Sequence, residues 1–332
     1  MTTYSSPLLI AEVGINHNGD VETAEKLILS AHAAGADFIK LQSFVMEDFF
    51  APDLDYYEES ASYALTFEEQ SHLFELARNK GIPLITTPFE TKSLAFLDRF
   101  DLPAYKIASM DCDNYPLIRK VAEKGKTVFL STGMATLGEI EKAVKTILET
   151  GNTDIHLLHC VSNYPTAPEE VNLAFMLKLR DTFGLKTGLS DHTVGLQSAF
   201  MAATLGASAI EKHYTLDRTL ADAFPGADHE LSINEEELRT LREFCDAVPV
   251  IMGDPARPLS ANETQGRAGM RRGFYARREI TKGEILNEDN LVALRPVRGV
   301  PVSLTDAVMG SQAARSIKNG APLQFGDFGK QE

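Results

Sequence analysis

The sequence predicts an α/β fold, a (β/α)8 TIM barrel followed by a small β-rich module, and three observations carry it. Eight short β-like runs alternate with amphipathic helical patterns through residue 250. The alternation then dissolves into Gly, Pro, Asn and polar residues, and a compact, turn-rich segment of about 60 residues closes the chain. No glycine fingerprint for a dinucleotide follows the first run, so a closed barrel ranks ahead of an open doubly wound sheet. The expected organisation is a barrel over 1–250, a linker over 251–270 and the small module over 271–332.

The strands are expected at 8–15, 38–43, 83–89, 105–109, 127–132, 155–160, 186–189 and 208–215, each a run of apolar and β-branched residues bounded by turn formers. Helices between them have readable starts. Val21, Ala24, Leu27, Ile28, Ala31 and Ala34 make one apolar stripe behind the cap Asp20. Thr66-x-x-Glu69, Thr136-x-x-Glu139 and Asn234-x-x-Glu237 have capping-box spacing, in which each end of the motif satisfies a backbone N–H of the other. In the last segment Gly273-Phe-Tyr-Ala276, the turn Lys282-Gly-Glu284 and Leu291-Val-Ala-Leu294 outline a module that on its own is marginally stable at that size.

Composition narrows the function. With 332 residues and 44% hydrophobic content the chain can bury one large core plus the small one, and it has no disorder signature. No apolar run approaches the roughly 18 residues that span a bilayer, and Met-Thr-Thr-Tyr at the start lacks the features of a signal peptide, so a cytoplasmic location is expected. Cys112, Cys160 and Cys245 are odd in number and widely spaced, which argues for reduced, buried thiols. A net charge of −15 disfavours nucleic acid and anionic membranes as partners. The charge is uneven: the segment from Arg271 carries ten Lys/Arg against seven Asp/Glu, and the preceding body 22 against 40.

Chemistry in such a barrel sits where the strands end at the carboxyl rim. There the strands bring Glu12, then Lys40 and Gln42, then Thr86 and Thr87, then Lys106, Ser109 and Asp111. The fifth carries Ser131 and Thr132, the sixth leads into Ser162 and Tyr164, the seventh holds Ser190 and His192, and the eighth Glu211 and His213. Alternation lets Lys40 with Gln42, Ser190 with His192, and Glu211 with His213 point inward as pairs. Two inward lysines among hydroxyls suit an anion cradle, because a buried ammonium must find an anion or lose its charge. The plainer reading of each lysine is a structural ion pair. For Lys212, which alternation aims at the helices, a surface position is expected.

His192 and His213 end successive strands 21 positions apart, with Glu211 close by. One strand-end histidine is usually a hydrogen-bonded structural residue; two on neighbouring strands beside a carboxylate suit a divalent ion with open positions. His17, His159 and His229 fall near loops or strand ends and remain unranked. Asn16-His17-Asn18-Gly19 reads equally as a turn and helix cap. In Phe224-Pro-Gly-Ala-Asp-His229 the Pro-Gly turn explains the glycine but not Asp228, which is expected over the rim.

Ile10-Ala-Glu-Val-Gly-Ile-Asn-His-Asn-Gly19, Lys40-Leu-Gln42, Thr87-Pro-Phe89, Tyr105-Lys-Ile-Ala-Ser109, Leu130-Ser-Thr-Gly-Met134, His159-Cys-Val-Ser-Asn-Tyr-Pro165, Leu189-Ser-Asp-His-Thr193, Glu211-Lys-His213 and Pro225-Gly-Ala-Asp228 resemble the sialic acid synthase family, legionaminic and pseudaminic acid synthases included. The terminal module resembles that family's antifreeze-like domain. The resemblance implies condensation of phosphoenolpyruvate with an N-acylmannosamine-type sugar to give a nonulosonic acid and inorganic phosphate. Lys40, Thr87, Lys106, Ser109, Ser131, Ser162 and Ser190 are implied to hold phosphoenolpyruvate. His192 and His213 are implied to bind a divalent metal, manganese first, with magnesium or cobalt as alternatives. Glu12, Gln42, Asp111, Tyr164 and Asp228 are implied to face the acceptor, with Glu12 assisting proton movement. Arg295 in Leu294-Arg-Pro296 matches an arginine implied to reach a partner's site in a domain-swapped homodimer.

Two departures touch the acceptor side. Asp111 stands where some members carry Glu, and Arg295-Pro-Val-Arg-Gly299 departs from the commoner glycine-rich continuation; on the phosphoenolpyruvate side, Ser162 stands where some members carry Asn. The acceptor therefore stays open between N-acetylmannosamine and a 2,4-diacetamido-trideoxyhexose. Two rivals are weighed. A 3-deoxy-octulosonate phosphate synthase predicts extra basic residues and no antifreeze-like tail. A catalytically silent sugar-binding or assembly protein predicts missing rim residues, whereas Glu12, both lysines and both histidines are present.

Overall fold

A computed structural model of the chain describes residues 4–329; the first three and last three residues, on which part of the N-terminal reading and the ends of the expected domains fall, lie outside it. Two compact units divide at Gly253/Asp254. The first runs β1 (Leu8–Gly14), α1 (Val21–Ala33), β2 (Phe38–Ser43), α2 (Met46–Phe49), α3 (Tyr57–Ser62), α4 (Phe67–Lys80), β3 (Leu84–Pro88), α5 (Thr91–Leu97) and β4 (Ala104–Ile107). It continues through α6 (Tyr115–Ala122), β5 (Thr127–Ser131), α7 (Leu137–Leu148), β6 (Ile155–Cys160), α8 (Ala174–Phe183), β7 (Lys186–Asp191), α9 (Gln197–Thr204), β8 (Ala209–His213) and α10 (Glu235–Met252).

The eight strands form one closed parallel barrel in sequence order, and β8 returns to β1 in the register Leu8↔Ala209 through Glu12↔His213. The period of 2 along each strand sorts its residues into two layers. Leu9, Ala11, Val13, Ile39 and Leu41 point outward and pack on Leu27, Ile28 and Ala31 of α1 and their counterparts on the other helices. Ile10, Ile85, Ala104, Phe129, Leu158 and Ala209 point inward and plug the lower lumen, with Leu8 and Phe38 against them. One inward step nearer the carboxyl rim, the same strands carry Glu12, Lys40, Thr87, Lys106, Ser131, Cys160 and Glu211, all buried. A dry floor thus lies directly below a layer of polar and charged groups. On β7 the floor position is Gly188, where a Cβ would lie 2.1 Å from the Ala209 carbonyl oxygen; the lumen has no room for a side chain there.

The helix starts follow their capping residues. Asp20 accepts from the Thr23 backbone N–H at 2.9 Å, and Thr66, Thr136 and Asn234 each close a complete capping box. Strand ends differ from expectation at two functional positions. β4 stops at Ile107, and Ser109–Asp111 form a 3-10 turn closed by Cys112 N–H to the Ser109 carbonyl at 3.1 Å. β7 runs on to Asp191, so Ser190 and Asp191 are strand residues rather than loop residues. Between β2 and α4 the chain inserts α2 and α3, elements not anticipated; Phe44 just ahead of α2 and Met46 at its start join Phe89 in a separate apolar cluster. Phe49 stacks on Phe89 with ring centroids 4.5 Å apart.

The stretch expected as a linker over 251–270 is largely helical. α10 continues through Pro249 to Met252, and α11 (Ala261–Met270) starts at Ser260, whose side chain forms a fourth capping box with Glu263. Its low apolar content hides this short helix from a periodicity argument, while the cap remains legible. The second unit has its own core of Phe274, Ile280, Leu286, Leu291, Val300, Val308, Ile317 and Leu323. Antiparallel β9 (Gly273–Ala276) and β10 (Leu291–Leu294) form one of its sheets, and β11 (Gln312–Ala313) and β12 (Phe328–Gly329) the other. All three cysteines are free and buried.

His156 at the start of β6 meets the Ser208 hydroxyl at 2.9 Å and packs on Phe129, and burial holds its imidazole at a pKa of about 4. The folded chain therefore keeps it neutral while the unfolded chain protonates it below pH 6.5, so its contribution is intact above that pH and is lost as pH falls towards 4. His156→Gln should narrow its stability gap to the wild type by about 2 kcal/mol between pH 7.5 and 4.5 in thermal melts. A gap that stays constant over that range removes His156 from the acid-sensitive groups.

Candidate active site

The polar layer is built from two lysines and two glutamates. Lys40 Nζ lies 2.7 Å from Glu12 Oε2 and 4.0 Å from Glu211 Oε2, and it donates to Thr87 Oγ1 at 3.1 Å. Lys106 Nζ lies 3.6 Å from Glu211 Oε1 and donates to the Ile107 carbonyl at 3.2 Å. Gln42 Nε2 donates to Glu12 Oε1 and Ser190 Oγ to Glu211 Oε1, both at 3.0 Å. The ion pair expected as the plainer reading of each lysine is present, and both ammonium groups face the lumen.

Burial dominates the protonation of all four groups, and their neighbours set its outcome. Burial pushes the Glu12 carboxyl above its ordinary range against the pull of Lys40, with Glu211 adding to the rise. For Glu211 burial is overcome by Lys106 and Lys40, which hold it below the ordinary range. Lys40 stays above its ordinary value despite burial, because Glu12 and Glu211 flank it. Lys106 is lowered by burial, which Glu211 only partly offsets. Two carboxyl groups in one site are thereby pushed apart, one towards holding a proton and one towards charge.

Around this cluster lie unused donors. The Ser131 and Ser162 hydroxyls are buried without hydrogen-bond partners. Ser109 Oγ accepts from the Gly133 N–H at 3.0 Å. A Cβ on Gly133 would approach Ser162 Oγ to 2.5 Å and Ser109 Oγ to 2.8 Å, so the missing side chain keeps the hydroxyl-lined space open. Ammonium groups and hydroxyls in a water-poor pocket suit phosphate or carboxylate oxygens.

The histidines sit beside this anion side. Their ring centroids are 5.3 Å apart. His192 Nδ1–H donates to the Val161 carbonyl at 2.8 Å, which leaves Nε2 as the ring nitrogen open to an ion, and the Tyr164 ring lies over the imidazole at 4.1 Å. Burial, reinforced by His192 and the nearby lysines, holds His213 well below its ordinary pKa, so it is a neutral imidazole; its Nδ1 is buried without a hydrogen-bond partner, 3.4 Å from Asp228 Oδ2. The Asp228 N–H is held by Asn16 Oδ1 at 2.9 Å, and burial raises its carboxyl to about 6. No group of three or more His, Cys, Asp or Glu among the described residues is arranged to enclose an ion. At His192 burial is outweighed by Cys160 and the Val161 carbonyl, which hold the imidazole above its ordinary pKa, while His213 is neutral with an orphaned nitrogen. A divalent ion there would displace the His192 proton and complete its shell with water or substrate rather than form a sealed structural site.

These groups line one cavity of about 690 Å³. Of the expected site residues, Glu12, Lys40, Gln42, Thr87, Lys106, Ser109, Ser131, Tyr164, Ser190, His192, His213 and Asp228 line it. Ser162 stands behind Gly133, and Asp111, carried past the strand end by the 3-10 turn, accepts from Asn114 Nδ2 at 3.0 Å instead of lining the cavity. Arg295 lies exposed on the second unit. Lys212 is not at the surface as expected: its side chain is 2% exposed and pairs with Asp191 at 3.0 Å, because the outward face of a barrel strand is covered by helices, not solvent. His17, His159 and His229 are structural. His17 Nδ1 accepts from the Gly19 N–H, His159 Nε2 donates to the Val171 carbonyl, and His229 lies between Thr215 and Asn18.

The outer wall was not anticipated. Phe44, Phe49, Phe50, Tyr56, Glu59, Ser60 and Tyr63 from the β2–α4 insert line the cavity with Phe89 and Met110. A Cβ on Gly226 would lie 2.5 Å from Glu59 Oε1 and 3.0 Å from the Tyr63 hydroxyl, so the insert touches the Pro225-Gly226 turn. The legible signal was the density of aromatic residues between strand two and the Thr66 cap; without strand periodicity it does not say which way they face.

Residues 27–257 match the NeuB family model and residues 271–329 the SAF domain model. The chain is 36% identical over 327 residues to the N,N'-diacetyllegionaminic acid synthase of Campylobacter jejuni, covering 94% of this chain and 97% of that one. It is 34% identical over 340 residues to the pseudaminic acid synthase of the same organism, covering 98% of each. Among solved structures it resembles the N-acetylneuraminic acid synthetase of Leptospira borgpetersenii, crystallised with citrate, at 33% identity and a TM-score of 0.73 over 79% of this chain and 90% of that one.

Gly133→Ala should crowd the Ser109 and Ser162 hydroxyls without disturbing the barrel core. Inorganic phosphate binding, followed by calorimetric titration, is expected to weaken at least fivefold while the melting temperature moves by less than about 3 °C, as for a change of under about 1 kcal/mol. Unchanged phosphate affinity would separate Gly133 from the anion side of the cavity.

Proposed function

We propose, from the premise that the chain belongs to the NeuB family and ends in a SAF domain, that it is a phosphoenolpyruvate-condensing transferase that makes a nonulosonic acid from an N-acylated amino sugar, releasing inorganic phosphate. The observation that carries this reading is the divided cavity. Ammonium groups and unpartnered hydroxyls occupy one side and two imidazoles the other, with a carboxyl of raised pKa between them. The SAF domain counts against an octulosonate phosphate synthase, and the complete set of rim residues against a silent scaffold.

Phosphoenolpyruvate is anionic at both ends, and Lys40 and Lys106 with Thr87, Ser109, Ser131, Ser162 and Ser190 are suited to hold it. An ion held by His192 and His213, manganese in the first instance, would supply Lewis-acid polarisation of the acceptor's open-chain aldehyde. The lysines offset charge as C3 of phosphoenolpyruvate attacks that aldehyde and C2 becomes cationic, and water then adds at C2 before phosphate leaves. Glu12 has the position and the raised pKa to move a proton during water addition. The apolar floor and the aromatic wall keep bulk water from the cationic centre.

On the acceptor side, Gln42, Tyr164 and Asp228 offer hydrogen bonds, while Phe44, Phe49 and Phe89 offer apolar surface suited to acyl methyl groups. That mixture favours a 2,4-diacetamido-trideoxyhexose, with two acyl groups and a deoxygenated end, over N-acetylmannosamine. Asp111 is set aside as a direct acceptor contact in this reading. Arg295 is proposed to serve the acyl group from the module of a second copy in a domain-swapped homodimer. No helix among the described residues is long and apolar enough to cross a membrane, which agrees with a soluble, cytoplasmic biosynthetic role.

Metal-stripped protein should be inactive and regain phosphate release from phosphoenolpyruvate when manganese and an acceptor are restored, with the diacetamido sugar turning over at least tenfold faster than N-acetylmannosamine at low concentration. Release with no acceptor of either kind would overturn the synthase reading. His213→Ala is expected to lower metal-dependent turnover at least 1,000-fold with the melting transition preserved, since it removes one of two protein ligands. For the swapped dimer, Arg295→Ala mixed with Lys106→Ala should regain part of the activity that each lacks alone. Absence of rescue in mixtures that demonstrably exchange subunits counts against sharing of the site.

A further inference from the structure

Behind the two histidines, on the side of the strands that faces the helices, lies a second pair that the proposed chemistry does not use. Asp191 and Lys212 each precede one of the histidines, and their Cα atoms are partners in the β7–β8 register. Lys212 Nζ sits 3.0 Å from Asp191 Oδ2 and donates to the Thr193 carbonyl at 2.5 Å. Asp191 Oδ1 accepts from both the Thr193 N–H at 2.9 Å and its hydroxyl at 2.8 Å. The lysine and aspartate side chains are 2% and 1% exposed. The bonds of Lys212 and Asp191 land on residues 191 and 193, which bracket His192, and the cluster is tied from the residue before His213.

A buried ion pair is a poor means of stabilising a barrel, because desolvation consumes what the charge attraction returns, and apolar residues of the same volume do as well or better. What such a pair supplies is direction: two strands and one turn are held at a single spacing by directed hydrogen bonds. We propose that Asp191 and Lys212 form a positioning clamp that sets the His192–His213 separation from the outer face of the strands and so tunes affinity for the divalent ion. This rests on the metal reading above. Neither residue lines the cavity or touches substrate, so both are positioning residues.

The test uses the full chain and manganese alone, with free Mn(II) followed by electron paramagnetic resonance. Asp191→Asn combined with Lys212→Met removes both charges together and so avoids stranding one of them. It is expected to weaken Mn(II) binding 10- to 100-fold, as losses among groups that orient metal ligands generally do. Phosphoenolpyruvate affinity of the metal-free protein, read by calorimetry, should stay within twofold. Mn(II) affinity within twofold of the wild type overturns the clamp, and so does a parallel loss of phosphoenolpyruvate affinity, which marks a merely structural role. Should the double variant fail to fold, Thr193→Val decides: isosteric, and lacking the hydroxyl bond to Asp191 along with a long one of 3.4 Å to Ser198, it should weaken Mn(II) at least threefold, and no change overturns the proposal. Wild-type protein that binds no Mn(II) would sink the metal reading itself, an outcome distinct from variants that bind like the wild type.

Discussion

The structure depends on keeping two ammonium groups inside a barrel whose floor is hydrocarbon. Lys40 and Lys106 sit one inward step above Phe38 and Ala104 and are almost fully buried. A bare ammonium there is untenable, so Glu12 and Glu211 must stand on neighbouring strands at heights that reach them. Parallel register supplies those heights: Glu12 pairs with Lys40 between β1 and β2, and Ser190 with Glu211 between β7 and β8. Shifting any strand by one residue would turn its charged side chain into the helix layer and bring an apolar one into the cluster. Register and site are therefore one constraint.

The same pairing shapes the chemistry. An incoming anion has to compete with Glu12 and Glu211 for the lysines. Unpartnered hydroxyls on Ser131 and Ser162 supply contacts that no internal group uses, which favours an oxyanion over the resident carboxylates. Glu12, the carboxyl with the raised pKa, is also the one placed between the lysines and His213, whose Cα it faces across β1 and β8. An ammonium group, a carboxyl of raised pKa and an imidazole thus meet from three adjacent strands.

The barrel and its polar rim were legible in the sequence because they follow from short-range rules. Alternation along Phe38-Ile-Lys-Leu-Gln42 decides that Lys40 and Gln42 share a face, and Asp20, Thr66, Thr136 and Asn234 announce helix starts through local hydrogen bonds. α11 was missed because a short, polar helix leaves no apolar stripe, although Ser260 and Glu263 mark its start. Asp111 was misplaced because β4 ends early, and where a strand stops depends on pairing with its neighbours. Lys212 was sent to the surface by a rule that holds for open sheets with one wet face and fails in a barrel wrapped by helices.

What the sequence determined by itself is the alternation, the caps and the inventory of rim residues, since each depends on neighbours a few positions away. The tertiary structure decided which charges meet: that Glu12 serves Lys40, that Asp191 and Lys212 close behind the histidines, and that the Phe44–Tyr63 insert walls the cavity. Those contacts join residues 20 to 200 positions apart. Their existence follows from barrel closure and strand register, which no local pattern of residues can express.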